Sequence, residues 1–392
     1  MKSICFYFQV HQPFRLRTYR YFDIGENHNY FDTLQNQWLC KRIAEKCYLP
    51  ANKLMLELIQ QHQGAFKISY SISGTAIEQF QLYCPEVLES FQALADTGCV
   101  ELLCETYTHS LASLASEKEF QDQVQIHKNL IKQHFNQDPV TFRNTELIYS
   151  DKIGQMVKDL GFKAQLAEGA KHILAWRSPN YLYQHSQENG LLLLLKNYQL
   201  SDDIAFRFSQ QDWSGYPLTC DKFVSWINNL HQAECINLFM DYETFGEHQW
   251  KETGIFDFLR HLPDTILTKS QYSFSTPREL ITNLKPRDKV HAPQAYSWAD
   301  EERDLTAWLG NDLQDDAFEQ IYELEQTVLQ TQDQDLIRTW RYLQTSDNFY
   351  YMCTKFFNDG DVHKYFNHYP SPYEAYINYM NVINDFRQRL KP

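Results

Sequence analysis

Long apolar runs are absent from this sequence. No pure apolar stretch exceeds the five leucines of LLLLL at 191–195, far short of the ~20 residues a membrane helix needs. Paired cysteine spacing is absent too. The 392 residues carry 9 cysteines, an odd number scattered from Cys5 to Cys353, with no CxxC. Free thiols in a reducing compartment are expected rather than a disulfide frame. The N-terminus, MKSICFYFQVHQP, lacks a small-residue cleavage site and has one lysine. It reads as a first strand and not a signal peptide, so the expected address is the cytoplasm. Positive charge is in short supply, with Lys+Arg 36 against Asp+Glu 50 and a net charge of −14. Such a chain repels phosphate backbones, which excludes nucleic acid as a partner.

Aromatic residues, at 15%, are what the chain has in plenty. A large aromatic core accounts for most of them, and stacking on the faces of pyranose rings is the sharper use. The length allows one large domain, or one large and one small. Short apolar, β-branched or aromatic runs recur at 3–10, 66–72, 99–104, 140–144, 161–167, 191–197 and 235–240, with a shorter one at 271–275. Helical patterns lie between most of them, at 54–63, 76–94, 117–135 and 152–160. Near-continuous apolar strands alternating with helices indicate a parallel α/β architecture. Seven such runs fit a closed barrel better than an open sheet.

The last third changes character. Thr276-Pro277-Arg278-Glu279 combines an N-cap, a proline at the first helical position and a reciprocal glutamate. Ser297 to Asp300 reads as a second capping box, with a helix expected over the following EERDLTAWLG. Ser371 to Glu374 is a third, and Tyr376, Tyr379, Met380, Ile383, Phe386 and Leu390 then keep helical spacing. The expected division is a barrel over 1–276 and a helical region over 277–392.

In parallel α/β folds, chemistry collects where strands end and βα loops converge. Just past the successive runs stand His11-Gln12-Pro13, then Glu101 to His109, then Arg143 to Glu146, Glu168, Asp202-Asp203, and Asp241, Glu243, Glu247 and His248. A rim with several carboxylates, few lysines and many aromatics suits glycoside hydrolysis, which needs one ionised and one protonated carboxyl flanking a bond. Arg143 near Glu146 favours an ionised carboxylate there. Phe239, Tyr242 and Phe245 around Asp241 favour a desolvated, raised one. Glu105 and His109 read as supporting groups, and Asp202-Asp203 as a turn or N-cap.

In this order the motifs resemble those of glycoside hydrolase family 57, in particular its α-amylase-like members. The residues that carry the resemblance are His11-Gln12-Pro13, Gly98-Cys99-Val100-Glu101, FRNTELIY around Glu146, MDYETFGEH from Asp241, and WADEERDLTAWLGN at 298–311. The resemblance implies an incomplete seven-stranded (β/α) barrel with a helical C-terminal region. It implies Glu146 as nucleophile and Asp241 as proton donor in a retaining double displacement on α-1,4-glucans. Substrate contacts would come from His11, Gln12, Glu101, Glu243, Trp298, Asp300, Asp304 and Trp308. Asp304 is preferred over Asp300 as the family's acidic residue in the last motif. The two, four apart on the expected helix, would share a face. No metal or organic cofactor is implied.

The rivals are a 4-α-glucanotransferase or branching enzyme of the same family, and a non-catalytic α-glucan-binding homologue. A metal-dependent polysaccharide deacetylase can use a similar barrel but needs histidines one helical turn apart. The 14 histidines here include no HxxxH.

Overall fold

A computed structural model of the chain describes residues 2–187, 190–357 and 367–390. Ten strands join in one sheet: β1 (Lys2–Val10), β2 (Ile68–Ile72), β3 (Val100–Leu102), β4 (Thr141–Arg143), β5 (Ala164–Glu168), β6 (Leu182–His185), β7 (Leu192–Lys196), β8 (Cys235–Asp241), β9 (Tyr272–Phe274) and β10 (Asp288–Val290). Seven of them, β1 to β5 with β7 and β8, run parallel around a ring. The ring has two thin seams. A single bridge, Cys104 to Phe142, stands between β3 and β4 in place of a ladder. Between β7 and β8 only Lys196 and Asn237 pair. The barrel is therefore incompletely closed, as expected.

Two strands escaped the sequence reading. β6 is antiparallel to β7, and β10 continues the sheet beside β6. β10 lies beyond the expected boundary at 277, and the remaining described residues past Pro277 form helices and loops. The helix starts at Thr276 and Ser371 are as expected, each with its side chain accepting from a backbone N–H one turn on. The helix expected after Ser297 is not there. Residues 297–311 form an irregular loop, with left-handed backbone at Asp300 and Arg303. Side chains take over its backbone groups: Arg303 Nη1 donates to the carbonyls of Trp298 and Asp300, both at 2.6 Å, and Ser297 Oγ donates to that of Asp304 at 2.6 Å. Local bonds of this kind compete directly with a helical ladder.

Strands read as unbroken apolar runs because both faces are buried. In β1, Phe6, Phe8 and Val10 pack outward against helices, while Cys5 and Tyr7 pack inside the barrel with Leu166, Leu194 and Phe239. The period of two then fixes which side chain each strand delivers at its carboxyl end. Continuing the inward set gives Gln9 and His11 from β1, Arg143 from β4, Glu168 from β5, Lys196 from β7 and Asp241 from β8. No helix among the described residues is long and apolar enough to cross a membrane.

Candidate active site

These inward residues, Glu168 apart, surround a cavity of about 640 Å³ at the carboxyl end of the barrel, lined by Glu146 and Asp241 among others. Glu146 lies in the turn just past β4, with φ 57° and ψ 27°. Leu147 follows at φ 51°, and His109 across the site has φ 55°. Non-glycine residues adopt the left-handed region at a cost of about 1–3 kcal/mol. Here the cost is spent turning two polar side chains into one cavity.

The partners of Glu146 are all donors. His109 Nε2 lies 3.3 Å from Oε1, Ser346 Oγ 3.2 Å from the same oxygen, and Trp298 Nε1 2.8 Å from Oε2. Arg143, wholly buried at the end of β4, stacks its guanidinium 5.0 Å from the Trp298 ring. Burial pushes the Glu146 pKa up, but the His109 bond and charge, Arg143 and the Trp298 N–H outweigh it and hold the carboxyl below its ordinary value. His109 is itself held as a cation. Burial opposes the charge, yet the Glu105 and Glu146 carboxylates raise it to about 9. Glu105 completes the row, accepting from His109 Nδ1 at 2.7 Å and from Gln9 Nε2 at 3.0 Å. Its pKa falls to about 2, against burial, chiefly through His109.

Asp241 has the opposite environment. Among the described residues no group donates a hydrogen bond to it. Burial first, and the charge of Glu146 second, push its pKa up to about 6, although Arg143, Lys196 and His109 pull the other way. Glu243 is pushed to about 8, by burial and then by Asp241. The Tyr48 hydroxyl donates to Glu243, and Gln12 Nε2 donates to Tyr48 Oη at 3.0 Å. Tyr48 closes a π-turn bulge, Ala44–Tyr48, set within the helical stretch from Thr33 to Gln61. Bulges of this type re-aim a side chain within an otherwise regular helix, and this one aims the Tyr48 hydroxyl at Glu243.

His11 stacks on His109 with centroids 4.1 Å apart. Burial and the neighbouring His109 cation lower its pKa, so its neutral form is favoured. Nε2–H then donates to Asp347 at 2.9 Å while Nδ1 accepts from Ser73 Oγ at 2.7 Å. Burial opposes the charge on Asp347, but the His11 hydrogen bond and the His109 cation hold its pKa well below the usual range.

Of the other expected substrate contacts, Gln12, Trp298, Asp300 and Trp308 line the cavity with His11 and Glu243. Trp308 is buried, and its Nε1–H meets no acceptor among the described residues. Glu101 and Asp304 do not line the cavity with them. Glu101 pairs in register with Ser69, which is level with Tyr7, so it sits one inward layer below Gln9. There it accepts from Thr141 Oγ1 at 2.9 Å and from the backbone N–H of Arg278 at 2.7 Å. The next inward positions belong to Leu103 and then Glu105, which is fully buried and reaches the cavity wall only through Gln9 and His109. Asp304 turns back on its own loop, accepting from the N–H of Thr306 at 2.9 Å and from its hydroxyl at 2.5 Å. Asp300 and Asp304 share no helical face, because no helix forms there.

Several cavity residues were not foreseen. Lys196 bonds Asp202 at 3.0 Å, and Arg303 Nη2 lies 3.5 Å from the same carboxylate. Asp202 is thus part of the wall rather than a simple turn residue. Glu168 lies behind them, its pKa pushed up to about 7 by burial despite both cations. Inward parity at the end of β7 was the signal for Lys196. Asp347 arrives from the first turn of a short remote helix, Ser346–Tyr350, and carries no strand-end signal.

Residues 5–293 match the description of Glycosyl hydrolase family 57. A protein of Methanocaldococcus jannaschii, provisionally named an alpha-amylase, is 44% identical, with 99% of this chain and 85% of that protein covered. A family 57-type branching enzyme from Pyrococcus horikoshii superposes with a TM-score of 0.69 at 14% identity, over 93% of this chain and 87% of that one. A 4-alpha-glucanotransferase from Thermococcus litoralis gives 0.66 at 14% identity, over 89% of this chain. This chain spans only 56% of that enzyme's length. At such identities the two structures speak for a shared fold alone. The family match over most of the sequence, with the 44% identical relative, places this chain in glycosyl hydrolase family 57.

Proposed function

We propose that the chain is an α-amylase-type hydrolase of α-1,4-glucans acting by double displacement with retention. One observation carries the reading: two carboxyl groups line a single cavity whose surroundings push their pKa values apart, Glu146 downward and Asp241 up to about 6. In this proposal ionised Glu146 attacks the anomeric carbon. Protonated Asp241 gives its proton to the leaving glycosidic oxygen. Water then enters, deprotonated by Asp241, and frees the sugar from Glu146 with its configuration retained. Trp298 and His109 aim the nucleophile. Gln12 and the protonated Glu243 offer donors and acceptors to sugar hydroxyls, and neutral His11, both of whose nitrogens are engaged by Asp347 and Ser73, packs its ring beside them. Trp308 and Asp300 complete the wall, and no metal or organic cofactor takes part.

The name of the 44% identical relative points the same way. Hydrolysis and glucosyl transfer share the covalent intermediate and differ in which acceptor enters. The experiment is therefore turnover of maltoheptaose with product analysis. Release of shorter sugars and new reducing ends is expected, abolished in Glu146→Gln. Longer or branched products would assign a glucanotransferase or branching enzyme instead. Binding without turnover would assign a non-catalytic homologue. The proposal also takes 1–276 as the catalytic barrel and 277–392 as a helical region that lends Ser346 and Asp347 to the site. A cytoplasmic address is part of it, supported by nine cysteines with none in a disulfide.

A further inference from the structure

The cavity does not end at the reacting groups. One wall carries Phe206, 49% exposed although it lines the cavity, and on the same wall stand His248 and Gln249. Gln249 Nε2 donates to the carbonyl of Ala205 at 3.0 Å, tying the segment before Trp250 to the segment before Phe206. Trp250 is 57% exposed. Its backbone is nonetheless fixed, because its carbonyl accepts from the N–H of Thr253 at 2.9 Å and from the Thr253 hydroxyl at 2.7 Å. The turn before it is pressed on the neighbouring helix. A Cβ on Gly246 would fall 2.0 Å from the Lys46 carbonyl oxygen, and the glycine has φ 112°.

The row continues outward. Lys46 Nζ lies 5.8 Å from the centre of the Trp250 ring and 3.9 Å from buried Glu247. Arg42 pairs with the same Glu247 and stacks 4.9 Å from the ring of Trp38, which is 59% exposed. Trp38 and Arg42 are four residues apart on one α-helix and share a face, and Lys46 follows in the π-turn that continues it. Lone exposed aromatics are ordinary, and Tyr21 and Phe22 are such a case, highly exposed but not lining the cavity. Phe206, Trp250 and Trp38 differ because ordered polar contacts string them into one band that begins inside the cavity.

We propose that this band is an outer binding track for α-glucan chains, holding sugar units beyond those at the reacting bond. The apolar faces of glucose rings lie on the Phe206, Trp250 and Trp38 rings, and Arg42 and Lys46 donate to the hydroxyls between them. Its consequence is a preference for long chains over short ones. The inference rests on the α-glucan reading above, and the test keeps the two apart.

The test uses a Glu146→Gln chain, so that the polysaccharide is not consumed, run through native gels containing glycogen. Retardation is expected. Trp250→Ala in that background weakens the affinity about tenfold, Trp250→Phe restores it, and Tyr21→Ala/Phe22→Ala leaves it unchanged. In the active chain, Trp250→Ala lowers the selectivity for amylose over maltotriose by a similar factor. Melting temperature monitors the fold of each variant, and the aromatic rescue separates lost stacking from lost structure. Unchanged glycogen affinity in Trp250→Ala, or no retardation of the parent chain, overturns the track. Retardation that depends on Trp250, in a wild-type chain that turns over no maltooligosaccharide, leaves the track standing and sinks the catalytic reading.

Discussion

Neutralising Glu146 is expected to release the proton on Asp241 at lower pH. Asp241 is raised from 3.8 to about 6, which corresponds to ~3 kcal/mol of disfavoured ionisation. Burial is the larger cause and the Glu146 charge the second. Glu146→Gln removes the second cause and leaves the first. It also frees the His109 cation from one of its two carboxylates, and that cation pulls the Asp241 pKa down. The pKa of Asp241 should therefore fall by ~1 unit, ~1.4 kcal/mol, rather than by the whole shift. Carbon-13 NMR titration of chains labelled at aspartate carboxyls reads this directly, with Asp241→Asn assigning the resonance. An unchanged or higher pKa would refute the electrostatic coupling and leave burial as the sole cause. A fall to the ordinary aspartate value would mean that burial contributes nothing.

Three further outcomes follow from the same groups. In wild type, kcat/KM should rise as Glu146 loses its proton below its ordinary value and fall on the alkaline side as Asp241 loses its own near about 6, giving a bell measurable on a soluble maltooligosaccharide. Glu243, raised to about 8, is protonated at the working pH, so Glu243→Gln should keep the alkaline limb in place and most of the activity, whereas Glu243→Ala removes the partner of Tyr48 and should cost at least ~1 kcal/mol in kcat/KM, about fivefold or more. Because the His109 pKa is raised to about 9, its share of folding stability is fully present below about 6.5 and is lost as pH rises through about 9. Denaturation midpoints across that window should fall more steeply for wild type than for His109→Gln, and parallel curves would contradict the cationic assignment.

Legibility in the sequence followed local order. Strands with both faces buried announce themselves as apolar runs, and eight of the ten strands lie on such runs. β6 and β10 are short and polar in part, LYQH and DKV, and flank the parallel ring, β6 antiparallel on β7 and β10 on β6, so neither periodicity nor apolarity marks them. Asp241, Glu146 and Arg143 stand at or just past strand ends and were readable there. The guess that Arg143 keeps Glu146 ionised and that burial raises Asp241 agrees in direction with the surroundings the fold provides.

What failed was height and long-range partnership. Glu101 on β3 and Glu105 just past it face the same way, and only the pairing register shows that Glu101 lies a layer below Gln9 while Glu105 is high enough to bond it. The segment 297–311 carries a fair capping signal, but Arg303, drawn toward Asp202 and Glu168, satisfies its carbonyls from outside any helix. Asp347 reaches His11 across 336 positions of sequence, a distance no local pattern spans.

The most direct measurement is mass spectrometric mapping of the chain after reaction with a fluorinated α-glucosyl fluoride that forms the covalent intermediate but breaks it slowly. The account requires one hexosyl adduct, on the peptide containing Glu146 and at that carboxylate, accumulating further in a chain whose Asp241 is replaced by Asn. An adduct on another carboxylate, or steady inactivation with Glu146 unmodified, would contradict it.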